Sequence, residues 1–161
     1  MVAGEYAAAG KSLRVDLFVS EPNVGDVPLD TYLARLGIAG IARVRQWVPH
    51  AEMQRILAEA DLLLLLAQRQ PLQVPNKLYE YLGTGVPILA IADADGETAR
   101  MLRDVGGHYV VERDTADDIA AALRSALMAV GQPAAPATSH DLLEEWLTER
   151  QMQRLVSTVR P

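Results

Sequence analysis

Residues 62–66 are five leucines in a row, closed by Asp61 on one side and by the polar Gln68, Arg69 and Gln70 on the other. A span of membrane needs about 18 consecutive apolar residues, so this run is an interior element of a folded domain. Continuous rather than alternating apolarity, at strand length, is expected of a parallel strand buried on both faces. Periodicity alone also admits a piece of buried helix, but the shortness of the run and its neighbours favour a strand. Four further runs have the same character: LRVDLFV at 13–19, RVRQWV at 43–48, VPILAI at 86–91 and HYVVE at 108–112. Helical patterns lie between them. Leu29, Leu33 and Leu36 recur at i, i+4, i+7. Met53, Ile56, Leu57 and Ala60 mark a helix over 51–60, and Ala99, Met101, Leu102 and Val105 mark one over 97–105. Residues 115–129 open on Thr115 with Asp117 and Asp118 in the first turn, a strong helix-start signal, and carry one apolar stripe through Ile119, Ala122, Leu123, Ala126 and Leu127. Strand then helix, repeated four or five times, predicts an α/β domain with a Rossmann-like, mostly parallel sheet and helices on both faces.

The composition narrows the chemistry. The chain has 161 residues, 15 Lys and Arg against 21 Asp and Glu, and a net charge of −6 without a basic stripe. That balance argues against nucleic acid as a partner. Cysteine is absent, which removes disulfides, thiolate metal sites and thiol nucleophiles. His50, His108 and His140 lie far apart, without the i, i+4 spacing of a helical metal site. Neither a metal nor another cofactor is expected. The first 13 residues lack the basic start and apolar core of a signal peptide, and a cytoplasmic protein is the default expectation.

The segment 61–92, DLLLLLAQRQPLQVPNKLYEYLGTGVPILAIA, reads as strand, loop, short helix, Gly-rich turn and strand. Pro75 suits the first helical turn, where its missing N–H costs nothing, and Gly83 and Gly85 end the helix. Ligands of open α/β sheets bind outside the carboxyl ends of the strands. The helix start, with free amides at Asn76, Lys77 and Leu78, is therefore expected in the ligand crevice, where such an end attracts phosphate. Leu78, Tyr81 and Leu82 form the apolar face; Asn76, Lys77 and Glu80 lie opposite. A cation and a carboxylate three residues apart suit a diphosphate and a ribose, and equally suit a surface ion pair of a few tenths of a kcal/mol. Spacing alone favours the ion pair.

The run VPNKLYEYLGTGVPILAI resembles the donor-site signature of GT-B glycosyltransferases of the family 4, glycosyl transferases group 1 type. QWVPHAEMQRILAEADLLLLL and DGETARMLRDVGGHYVVERDTADDIAAAL are similar to two further segments of that family, in the same order. The resemblance implies a carboxyl-terminal, donor-binding domain of a retaining glycosyltransferase, taking a UDP- or GDP-sugar as substrate. It implies that Glu80 holds the ribose hydroxyls, that Pro75, Asn76 and Lys77 meet the diphosphate, and that Val48 and Pro49 bracket the nucleobase. Arg69, Gln70, Gly96 and Glu97 are secondary candidates at the same rim, and Thr98 lies beside the last two. For Arg69 and Gln70 a solvated loop, and for Gly96 and Glu97 a helix cap with Glu97 in the first turn, is at least as good a reading. His50 reads as a helix-start residue. Leu72 stands where many members carry a second Glu. No catalytic residue is assigned.

The expected organisation is a nucleotide-sugar-binding domain over 1–130, a linker over 131–140 read from its Pro and Ala content, and a final helix over 141–161. The chain is expected to begin in the helix after the family's first strand, with 13–19 as its second strand. In the order 3-2-1-4-5-6 that first strand is central, so 13–19 and 62–66 are expected to lack the neighbour between them and to leave an edge open to a second copy of the chain. An acceptor-binding amino-terminal domain is expected elsewhere, and these residues alone should transfer little sugar. In the cell, the whole enzyme is expected in the cytoplasm or peripherally at a membrane. The reading from another class is a non-catalytic nucleotide-binding or protein-interaction module derived from such a domain.

Overall fold

A computed structural model describes residues 2–8, 10–111 and 113–131; the expected linker beyond Gly131 and the expected final helix lie outside them. The chain divides into two compact units, Met1–Met53 and Gln54–Pro161.

The first unit opens with α1 (Val2–Ala8), where the Lys11 ammonium sits 5.2 Å from the centre of the Tyr6 ring. Strand β1 (Val15–Val19) pairs in parallel with β4 (Ala42–Gln46), Val15 opposite Ala42 and Val19 opposite Gln46. Between them lies a feature that the sequence pattern does not announce, a small antiparallel hairpin of β2 (Asn23–Val24) and β3 (Val27–Pro28). Its two-residue turn is Gly25-Asp26, with Gly25 at φ +59°, a left-handed conformation that glycine reaches without strain. Helix α2 (Leu29–Arg35) follows and buries Leu33. Leu36, expected on its apolar stripe, falls on the C-cap and is exposed. The unit boundary lies within α3 (His50–Ala58).

The second unit is built on a three-stranded parallel sheet in the order β5-β6-β7: β5 (Leu63–Ala67), β6 (Ile88–Ala92) and β7 (Tyr109–Val111). Helices α4 (Asn76–Leu82), α5 (Glu97–Val105) and α6 (Ala116–Ala129) connect and cover it. Thr115 caps α6 through its side chain, which accepts from the Asp118 N–H at 3.2 Å. Every residue of β6 is buried. Leu89 and Ile91 point to one face, where they join Val111 and pack against Ile119, Ala122 and Leu123 of α6. Ile88, Ala90 and Ala92 alternate to the other face. Leu78 and Leu82 of α4 and Ala99, Met101 and Leu102 of α5 are also buried.

Strand β5 corrects one expectation. Only alternate residues are buried: Leu63, Leu65 and Ala67 are, whereas Leu64 is 44% and Leu66 60% exposed. The register gives the reason. Leu64 lies opposite Leu89 and Leu66 opposite Ile91, so both point to the α6 side, and α6 packs on β6 and β7 rather than on β5. Apolar continuity thus meant double burial for the central strand and not for the edge strand.

Among the described residues the parallel ladders are β4-β1 and β5-β6-β7, with no strand pairing β1 to β5. The fold is the expected mixed α/β arrangement of parallel strands flanked by helices.

Candidate functional site

The carboxyl end of β5 runs into the loop that leads to α4. Pro75 is extended, at φ −61° and ψ 139°, and takes the N-cap position; the helix begins at Asn76. The expected place of Pro75 in the first turn is thus one residue too late, because a missing N–H is equally harmless at the cap. The Leu78 N–H is not free either, since it donates to the Pro75 carbonyl at 2.9 Å. Among the described residues no backbone acceptor meets the amides of Asn76 and Lys77.

Helix α4 is amphipathic as its spacing predicts. Leu78 and Leu82 are buried, Tyr81 is half-buried, and Asn76, Lys77 and Glu80 are exposed. Burial, and then the neighbouring Glu80 charge, push the Tyr81 hydroxyl above its usual titration range. Ion pairs among the described residues include Arg14–Asp16, Arg100–Glu97 and Arg113–Asp118, and none joins Lys77 to Glu80. Lys77 and Glu80 therefore do not pair with each other, although spacing alone favoured it. Both face solvent. The helix ends at Gly83; Gly85, at φ +71°, makes the left-handed turn into β6, and the Thr84 hydroxyl donates to the Tyr81 carbonyl at 2.6 Å.

Arg69, Gln70, Gly96 and Glu97 come together through their loops. Arg69, at φ +60°, is the one non-glycine residue in the left-handed region among those described, a costly conformation that surrounding contacts must hold. The Gln70 N–H donates to Asp93 Oδ2 at 2.7 Å, and the Glu97 N–H donates to the Pro71 carbonyl at 2.8 Å. Gly96 is the N-cap of α5 and Glu97 its first residue, with the Glu97 carboxylate 3.1 Å from the Arg100 guanidinium. The Thr98 hydroxyl, on a residue only 2% exposed, donates to the Gln73 carbonyl at 3.1 Å. Asp93 was not singled out in the sequence. The available signal was a carboxylate directly after an apolar strand, three residues ahead of a glycine.

Val48 and Pro49 belong to the first unit. Val48 is half-buried and Pro49 exposed. The Pro49 carbonyl accepts from the amides of Glu52 and Met53, both at 3.0 Å, which makes it the start of α3. His50 is the exposed first residue of that helix.

His108 sits at the opposite end of the second unit's sheet. Its Nδ1 accepts from the N–H of Ile88, the first residue of β6, at 3.2 Å. Burial lowers its pKa to about 4, so it is a neutral acceptor that holds the amino end of the strand.

The family model for glycosyl transferases group 1 matches residues 23–129, a span that takes in the loop, α4 and the 93–98 turn. The chain belongs to this family. Among solved structures it is similar to that of WaaG, a glycosyltransferase involved in lipopolysaccharide biosynthesis, with 18% identity and a TM-score of 0.56. The likeness covers 76% of this chain and 30% of WaaG, so the chain spans less than a third of that protein's length. At this identity it shows the GT-B Rossmann-like fold. No curated protein matches the chain. Among the described residues no helix is long and apolar enough to cross a membrane.

Proposed function

We propose that the chain is the donor-binding part of a retaining glycosyltransferase, which transfers a hexose from a UDP- or GDP-sugar to an acceptor. The observation that carries the reading is that Lys77 and Glu80 stand exposed and unpaired with each other on α4, inside the span that matches the family. In this reading Lys77 and the Asn76 amide meet the donor diphosphate, and Glu80 accepts from the ribose hydroxyls. Val48 and Pro49 serve the nucleobase. Catalysis is then electrostatic: a fixed cation stabilises the negative charge that grows on the diphosphate as the sugar leaves. Binding needs no metal in this account and is unaffected by EDTA. The acceptor is read by a further domain, and the enzyme works in the cytoplasm or at a membrane surface. Pairing of a second copy along the edge of β5 belongs to the same reading and is checked by light scattering.

Calorimetric titration with UDP, GDP and their sugars tests the proposal. Saturable heat with one of the two nucleotides supports it; silence with both removes the nucleotide site and leaves a ligand-free interaction module.

A further inference from the structure

We propose that segment 93–98 is a positioning clamp for the donor loop, with Asp93, Gly96 and Thr98 fixing the path of residues 69–75 and hence the place of Lys77. The proposal rests on the nucleotide-binding reading above and adds residues to which that reading assigns no role.

The loop after β5 has little apolar anchorage of its own. Arg69, Gln70, Pro71, Leu72 and Gln73 are all exposed, Leu72 to 81%. Its path is set instead by three bonds to one short segment 20 or more residues away. Asp93 Oδ2 accepts the Gln70 N–H, the Glu97 N–H donates to the Pro71 carbonyl, and the Thr98 hydroxyl donates to the Gln73 carbonyl. The clamp is itself braced: the Gly96 N–H donates to the Asp93 carbonyl at 2.8 Å, and Arg103 Nη1 donates to the Ala94 carbonyl at 2.7 Å.

Gly96 lets the two strands of chain approach. A Cβ there would stand 3.0 Å from the Asp93 carbonyl oxygen and 3.2 Å from Pro71 Cα. Both neighbours are backbone and cannot swing aside. Only Val74 and Pro75 separate Gln73 from the helix start, so an error in the loop passes directly to Asn76 and Lys77. The left-handed backbone at Arg69 fits this account, since a strained residue persists only where its surroundings impose it. Fixing a binding group beforehand spares the ligand the entropy of ordering it. Asp93 and Thr98 are accordingly positioning residues, acting through the loop and not on the donor.

The test combines amide hydrogen exchange with titration of UDP and GDP on the full chain. For Asp93→Ala the Gln70 amide exchanges faster, and the nucleotide Kd rises about tenfold, the scale of one lost hydrogen bond. Asp93→Asn keeps an acceptor for that amide and restores both readouts. Thr98→Val, isosteric but without the hydroxyl, weakens binding in the same way, and Thr98→Ser restores it. Wild-type affinity in Asp93→Ala would overturn the clamp. Equal weakness of Asp93→Asn and Asp93→Ala overturns it too, because the charge and not the bond to Gln70 would then matter. Wild-type silence toward both nucleotides overturns the nucleotide reading and the clamp with it, an outcome distinct from binding that the Asp93 and Thr98 variants leave unchanged.

Discussion

The two ends of the second unit's sheet are built to opposite rules. At the amino end His108 is half-buried, neutral and bonded to the first amide of β6. At the carboxyl end the chain exposes Lys77 and Glu80, tolerates a left-handed Arg69, and holds a polar loop by hydrogen bonds to another loop. One end spends its residues on closing the fold. The other keeps charged groups in water, in a place fixed by their surroundings, as a ligand site requires. Substitutions at the amino end and in the core should therefore alter stability and spare binding, and substitutions at the carboxyl end should do the reverse.

The largest effect on stability belongs to the core between the two ends. Leu89→Ala removes a side chain buried against α6 and is expected to cost about 3 kcal/mol in urea denaturation. Leu64, opposite it in register and 44% exposed, should cost under about 1 kcal/mol when changed to Ala, by the smaller area buried. Equal losses would contradict the one-sided burial of β5.

Next is the amino end. The His108 pKa is lowered to about 4 from 6.5, so below pH 6.5 the unfolded chain takes up a proton that the folded chain refuses. His108 thus gives its full stability above pH 6.5, and this is lost as pH falls from 6.5 toward 4. Allowing for its partial exposure, the loss is about 2 kcal/mol. His108→Gln, which keeps an acceptor for the Ile88 N–H, should flatten this part of the pH–stability curve in thermal melts. An unchanged curve assigns the effect elsewhere.

Gly96→Ala tests the carboxyl end. The new methyl group meets backbone at 3.0 and 3.2 Å, and its cost in stability should be about 1 kcal/mol. Its effect on nucleotide affinity should exceed its effect on folding. The opposite ranking, seen by calorimetry beside a melt, would make the tight approach a purely structural matter.

The difference between the ends also explains what could be read beforehand. All five strands of the two parallel ladders and the helices between them follow from apolar runs and helical stripes, because burial leaves its mark on each residue's own type. The exposure of Leu64 and Leu66 does not follow, since it depends on how far α6 reaches across the sheet. The hairpin at 23–28 was missed because strands of two residues carry no period, although Gly25-Asp26 marks its turn. Lys77 and Glu80 were legible through a family signature, and their exposure agrees with the face assigned to them by helical spacing. Asp93 was not legible, and neither was the bond from Thr98 to the loop: each is an ordinary polar residue near a helix start, and its partner lies 20 or more positions away.

The central claim is that the carboxyl end of this sheet holds a nucleotide through α4. Glu80→Gln tests it most directly, because Glu80 is exposed and makes no ion pair among the described residues. Titration of the full chain with the nucleotide that binds should show about a tenfold loss of affinity, the scale of charge-assisted hydrogen bonds to the ribose, with an unchanged thermal midpoint. Unchanged affinity in Glu80→Gln would contradict the ribose role of Glu80.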